Sequence, residues 1–178
     1  MTEKQIFKLA KTFRIAIERA RNEGEFQNDI SFHHFPKGCC GDTSDLLAEY
    51  LHRNGVETIW VSMERDGSHA WLVVKDLRVK EPTPTSFNWP EHLWDTLKGY
   101  GVENPEKTID TTRYEETDLE NGLLSDITSD QFPEYSIPVY VGIQDDYHRQ
   151  FRFIQAHDYE GLGTPRLDNI YRKIMKYL

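Results

Sequence analysis

Two cysteines stand side by side in the segment Phe35-Pro36-Lys37-Gly38-Cys39-Cys40-Gly41-Asp42-Thr43-Ser44. The segment is rich in chain breakers and runs straight into an apolar-periodic stretch, Leu46, Leu47, Tyr50 and Leu51. This pattern predicts a loop that ends in a helix N-terminus, with a thiol at the junction. A helix N-terminus carries partial positive charge and N–H groups without intrahelical acceptors. Both favour a thiolate, so a cysteine placed there can act as a nucleophile. A lone cysteine is more often a small buried hydrophobe. Gly38, Gly41 and the helix that follows raise Cys40 above that reading, because glycine permits close approach of a substrate. Cys39 lies one residue further from the helix and is expected to pack. A thiol nucleophile needs a base, and His69 in Ser68-His69-Ala70-Trp71 is the candidate. A third group must hold the tautomer of that base. Asp126 in Leu124-Ser125-Asp126-Ile127-Thr128 is the choice, with Asp110 in Thr108-Ile109-Asp110-Thr111-Thr112 competing for the role. Asp126 is preferred for its apolar strand context. The N–H of Cys40 would face a developing oxyanion. No side-chain amide lies in residues 29 to 39, so the nearest polar candidates for a second donor are Gln27, Asn28, His33 and His34.

These residues must be carried by regular elements. Residues 3 to 23 read as a helix, with Ile6, Leu9, Ala10, Phe13, Ile17 and Ala20 at helical spacing, Thr2 as cap and Gly24 as stop. Residues 24 to 38 read as irregular. Residues 40 to 53 form the second helix, closed by Asn54-Gly55. Residues 56 to 63 and 68 to 75 alternate around Arg65-Asp66-Gly67, which predicts a hairpin with His69, Trp71 and Val73 on one face. Residues 76 to 122 change character. They hold Pro82, Pro84, Pro90, Pro105, Trp89, Trp94 and many acids, and read as an insertion over one edge of the sheet, with a short helix near 90 to 98. Strands are expected at 123 to 128, 137 to 143 and 149 to 155, and a helix at 166 to 177. Tyr147-His148-Arg149 and His157-Asp158 read as surface clusters. The reading is one α+β domain over residues 1–178, with N-terminal helices packed on an antiparallel sheet.

Composition narrows the function. The chain has 178 residues, 38% of them hydrophobic, which suits one domain of ordinary size. Acidic residues outnumber basic ones by 30 to 21, so neither nucleic acid nor an anionic membrane is an expected partner. No apolar run is long enough to span a bilayer and no signal-peptide core follows Met1. Adjacent cysteines make no disulfide framework, so a reduced, cytoplasmic protein is expected, with export by a dedicated secretion system left open. The Cys39-Cys40 and His33-His34 pairs lack the two-to-four-residue spacing of zinc ligands. Phosphate-loop and dinucleotide fingerprints are absent from the sequence. No metal and no cofactor is expected.

Three segments carry a family resemblance. Gly38-Cys39-Cys40-Gly41-Asp42-Thr43-Ser44 resembles the Gly-x-Cys-x-Asp-x-Ala/Ser segment of the transglutaminase-like branch of the papain-like superfamily. His69-Ala70-Trp71 resembles that branch's His-Ala-Trp strand. Asp126-Ile127-Thr128-Ser129-Asp130-Gln131-Phe132 is similar to the Asp-x-Thr segment that follows it, and closer still to an Asp-Ile-Thr-x-Asp-Gln-Phe form of some members. The match covers roughly residues 35 to 142, and the stretch between His69 and Asp126 is longer than is usual in the branch. The resemblance implies a papain-like fold with Cys40, His69 and Asp126 as a catalytic triad. The expected activity is thiol-dependent acyl transfer from a protein or peptide amide, foremost as a cysteine protease or amidase. A glutamine deamidase or transglutaminase shares the same first steps. The reading from another class is a papain-like scaffold without catalysis, used as a binding module.

Overall fold

The computed structural model describes residues 1–76, 78–88, 90–101, 103–106 and 109–178, with the backbone alone at 83, 85–87 and 109–112. Its first element is α1 (Glu3–Asn22). Thr2 opens it with a capping box: the Gln5 N–H donates to the Thr2 hydroxyl and the Thr2 N–H to the Gln5 side chain. The apolar stripe of Ile6, Ala10, Phe13, Ile17 and Ala20 is fully buried, as its spacing predicts. Helix α2 (Cys40–Arg53) starts at the second cysteine and turns its Leu46, Leu47, Ala48 and Leu51 face into the same core.

Strands β1 (Thr58–Glu64) and β2 (Ser68–Val74) form the expected hairpin, with Val61 opposite Trp71. The stretch 76 to 122 is more ordered than its prolines suggest. It contains β3 (Thr83–Phe87), α3 (Trp94–Gly99), β4 (Ile109–Arg113) and α4 (Glu116–Leu119). Strands β3 and β4 pair only with each other in the described ladders. A two-stranded ribbon leaves one edge of each strand unpaired, which is where a residue lacking an N–H, such as Pro84, is tolerated. Trp89 lies outside the described residues.

The chain returns to the main sheet through Gly122, where a Cβ would stand 2.3 Å from Val73 Cγ1. Only glycine fits that approach. Then follow β5 (Leu123–Asp126), β6 (Tyr140–Gly142), β7 (Arg152–Asp158) and α5 (Pro165–Ile174). The last two strands differ from the sequence reading. The 137 to 143 alternation yields only three paired residues, and Ile137 and Ile143 stay exposed. The final strand begins three residues later than expected because His148–Gln150 forms a 3-10 turn.

The fold is α+β. Five antiparallel strands run in the order β6-β5-β2-β1-β7. Helices α1, α2 and α5 cover one face over Leu72, Val74, Leu123 and Ile127. The opposite face carries Ile59, Val61, Met63, Trp71, Val73 and Leu124, packed with Tyr114, Leu119, Tyr135, Tyr147 and Phe151. Among the described residues no helix is long and apolar enough to cross a membrane.

One charged contact joins the helix layer to the loop after β5. Arg14 of α1 is buried, and its guanidinium grips Asp130 through two parallel bonds of 2.8 Å each. It also donates to the carbonyls of Ile127 at 2.6 Å and Pro138 at 3.3 Å, and lies over the Phe35 ring at 4.5 Å. Planar, bidentate recognition of this kind is what arginine does and lysine does not. Removing it strands a carboxylate and two carbonyls. Arg14→Ala is therefore expected to lower stability by about 3 kcal/mol, measured by denaturant unfolding. Asp130→Asn, which keeps the shape and loses the charge, should cost less.

Candidate active site

The loop before α2 is held from several directions. Phe26, Phe32 and Phe35 anchor it in the helix-side core, with the Phe32 and Phe35 rings stacked 6.2 Å apart. Arg21 donates to the Phe35 carbonyl at 2.6 Å, and the Phe35-Pro36 peptide is cis. Gly38 adopts φ +68, in the left-handed region that favours glycine. Arg166 of α5 bridges Asp29 in this loop, at 2.8 and 2.9 Å, and Asp42 in the first turn of α2, at 2.7 Å. The acid nearest the helix start thus carries its own counter-charge.

The two cysteines end in different surroundings. Cys39 is the N-cap residue and is buried, with its Sγ 3.4 Å from the Pro36 carbonyl and 3.5 Å from the Thr43 hydroxyl. Burial pushes its thiol up to about 12. Cys40 is the first helical residue, half-buried, with Sγ 3.9 Å from the Ser68 carbonyl. Strand β5 pairs with β2 only from Leu72 to Val74, so the start of β2 has no β5 neighbour where Cys40 meets it. Burial opposes the Cys40 thiolate. The His69 ring, the Ala70 N–H and the Gln131 side chain outweigh that, and the thiol lies below its ordinary value.

His69 is 1% exposed and bonded at both ring nitrogens. Its Nε2–H donates to Asp126 Oδ2 at 2.7 Å, which leaves Nδ1 as the basic atom toward Cys40. Burial disfavours the imidazolium. The Asp126 charge and the Cys40 contact prevail, and the ring is raised to about 9. Trp71, Phe132 and Phe151 enclose the ring at 5.1 to 5.5 Å between centroids. Asp126 is also 1% exposed. The Thr128 N–H and hydroxyl donate to its Oδ1 at 2.8 and 3.2 Å. Burial acts against its charge, but His69 and His148 hold the carboxyl well below the usual carboxylate range.

Gln131 is the site residue that sequence reasoning missed. The Gly38 N–H donates to its Oε1 at 3.3 Å, which fixes the orientation of the amide. Its Nε2 therefore faces His69 Nδ1, at 2.9 Å, and Cys40. A ring with a bare Nδ1 accepts that bond. Once a proton sits on Nδ1, the same amide N–H is free to serve the sulfur or an oxygen bonded near it. Gln27, Asn28, His33 and His34, the earlier donor candidates, instead line a shallow cavity of about 270 Å3 with Asp29 and Ile30. The usable signal was the run Asp126 to Phe132, each polar member of which has a partner here.

Two further readings change. Tyr147 and His148 are buried rather than surface residues, and His148 is fully enclosed. Asp110 lies on β4 of the ribbon, paired with Ser86, and its side chain lies outside the described residues. Cys40, His69 and Asp126 stand together in one hydrogen-bonded series. Among the described residues no group of three or more His, Cys, Asp or Glu side chains is placed to hold a metal ion. Comparison of the chain with protein-family models, with curated protein sequences and with solved structures returned no match.

The contrast between the thiols is measurable. Reactivity belongs to the thiolate and is lost as pH falls through the thiol's pKa. With limiting iodoacetamide and peptide mass spectrometry, Cys40 should alkylate rapidly at pH well below about 8.5, the value for free cysteine. Cys39 should remain inert through the same range. In His69→Ala the Cys40 profile should move up to that of an ordinary thiol.

Proposed function

We propose that this chain is a thiol acyl-transfer enzyme of the papain-like, transglutaminase-like kind, with Cys40 as nucleophile, His69 as base and acid, and Asp126 as the orienting carboxylate. The observation that carries the reading is the bond of His69 Nε2–H to a fully buried carboxylate, with the opposite ring nitrogen turned to a half-exposed thiol at a helix start. A buried histidine in a merely structural role has no need to turn its basic nitrogen toward a thiol.

The chemistry follows from that arrangement. The Cys40 proton passes to His69 Nδ1, giving a thiolate–imidazolium pair. The sulfur attacks a carboxamide carbon and the carbonyl becomes an oxyanion. Two donors stand on the thiol side: the Cys40 N–H, which as the first helical N–H has no intrahelical acceptor, and the Gln131 amide. Collapse breaks the C–N bond, His69 returns its proton to the departing amine, and a thioester on Cys40 remains. Water, deprotonated at His69 Nδ1, then releases the acid and restores the thiol. Hydrolysis of a protein or peptide amide is the first choice because it demands least of the site. Attack on a glutamine side chain would make a deamidase, and resolution by an amine a transglutaminase.

The test is acylation of Cys40 by an activated ester, followed by casein as a general protein substrate. A covalent adduct on Cys40 is expected, absent in Cys40→Ala. His69→Ala should slow acylation by about 10^3-fold and Gln131→Ala by about 10^2-fold. Turnover should fall as pH rises through about 9, where His69 loses the proton it gives to the leaving group. Peptide cleavage identifies a protease, ammonia release without cleavage a deamidase, and amine incorporation a transglutaminase. If Cys40→Ala behaves as the native chain in every assay, catalysis is excluded and the binding-module reading leads.

A further inference from the structure

The buried polar series does not end at Asp126. His148 lies in the turn before β7 and is wholly buried. Its Nε2 stands 3.4 Å from Asp126 Oδ2, the oxygen that also takes the His69 bond. Its Nδ1–H donates to Asp145 Oδ1 at 2.7 Å. The backbone N–H groups of Tyr147 and His148 donate to that same Oδ1, and the Tyr135 hydroxyl donates to Asp145 Oδ2 at 2.7 Å. Aromatic rings fix the imidazole plane. Trp71, Tyr135 and Tyr147 meet it edge-on at 5.2 to 5.5 Å, and Tyr140 is tilted against it at 4.7 Å.

Burying a polar ring is costly unless both nitrogens are used. An apolar ring of similar size would fill an aromatic pocket without that cost. The histidine is explained by what its nitrogens touch, and both touch carboxylates. Asp126 then divides its capacity. Oδ1 accepts from Thr128, and Oδ2 is shared between His69 and His148. A carboxylate held at both oxygens keeps its plane and its charge, and both are what a histidine base requires of its partner.

We propose that His148 and Asp145 form a second dyad that positions Asp126, and through it governs how readily the Cys40–His69 pair forms. The proposal rests on the acyl-transfer reading above. No described contact joins His148 to Cys40, so it is a positioning residue. The titratable groups that face it are Asp126 from β5, Asp145 and Tyr147 from its own turn, Tyr135 from the loop after β5 and Tyr140 from β6, with His69 across Asp126.

The test is the pH profile of Cys40 alkylation by iodoacetamide, measured on the full chain, on His148→Gln, Asp145→Asn and Asp126→Asn, and on the Asp126→Asn, His148→Gln double variant. The acid limb should move up by about one pH unit in both single variants of the dyad, which is about tenfold in rate below the midpoint. His148→Gln should add nothing to Asp126→Asn, because its effect passes through that carboxylate. Native limbs in both dyad variants would falsify the proposal, and so would a full His148→Gln effect in the Asp126→Asn background. If His148→Gln loses its fold by circular dichroism, Asp145→Asn decides, since it is isosteric and sits at the more open end of the series. The failure of the underlying reading looks different. There, native Cys40 already titrates as a free thiol and Asp126→Asn leaves it unmoved.

Discussion

The Asp126 carboxylate is the constraint around which this structure is built. A charge taken fully out of water persists only if partners replace the solvent. The chain supplies four contacts: the Thr128 N–H and hydroxyl, His69 and His148. Two come from the same short segment and cost little chain entropy to gather. The other two come from β2 and from the turn before β7, so the carboxylate also ties distant parts of the sequence together. Beyond His148 the series reaches Asp145 and Tyr135, which lie nearer the surface. The buried charge is thus one end of a polar path rather than an isolated defect in an aromatic core.

The segment that follows Asp126 distributes its side chains to opposite sides of the molecule. Thr128 bonds back to Asp126, Asp130 reaches Arg14 in the helix layer, Gln131 joins His69 to Gly38, and Phe132 packs edge-on against the His69 ring. This short segment thereby fixes Asp126, His69 and the loop bearing Cys40 relative to one another. Arg14 matters to the site for that reason, although it lies in the opposite layer. Its guanidinium also lies over Phe35, in the loop that leads to Cys40. A shift of α1 would therefore be felt at both ends of the candidate site.

Sequence reading succeeded where local physics decides. The α1 stripe, its Thr2 cap and the β1–β2 hairpin follow from periodicity and turn residues alone. Their outcome required no knowledge of tertiary contacts. The meeting of Cys40, His69 and Asp126 could be expected from motif order, but the partners of Asp126 could not. His148 looks like a surface residue between Tyr147 and Arg149, since its burial depends on rings from β2, β6 and the loop after β5. Nothing local to Gln131 marks a role for it, because its two bonds span 62 and 93 residues. The ribbon of β3 and β4 was hidden by Pro84, which marks against a central strand but is compatible with a ribbon edge.

The adjacent cysteines show which effect separates two neighbouring thiols. Both lie at the start of α2, so the helix dipole favours a thiolate at each, and distance from the helix separates them poorly. Their surroundings separate them well. Successive residues at a helix start point in different directions. Cys39 turns into the core against Phe35 and Thr43, where the Thr43 hydroxyl and the Arg14 charge compensate too little for lost water, and its thiol rises to about 12. Cys40 turns toward the open start of β2, where an imidazole backed by a buried carboxylate offers a counter-charge, and its thiol is lowered. The helix terminus is common to both, so the difference must come from β2 and from the carboxylate behind it. The lowered thiol of Cys40 is made by its partner histidine more than by its place on the helix.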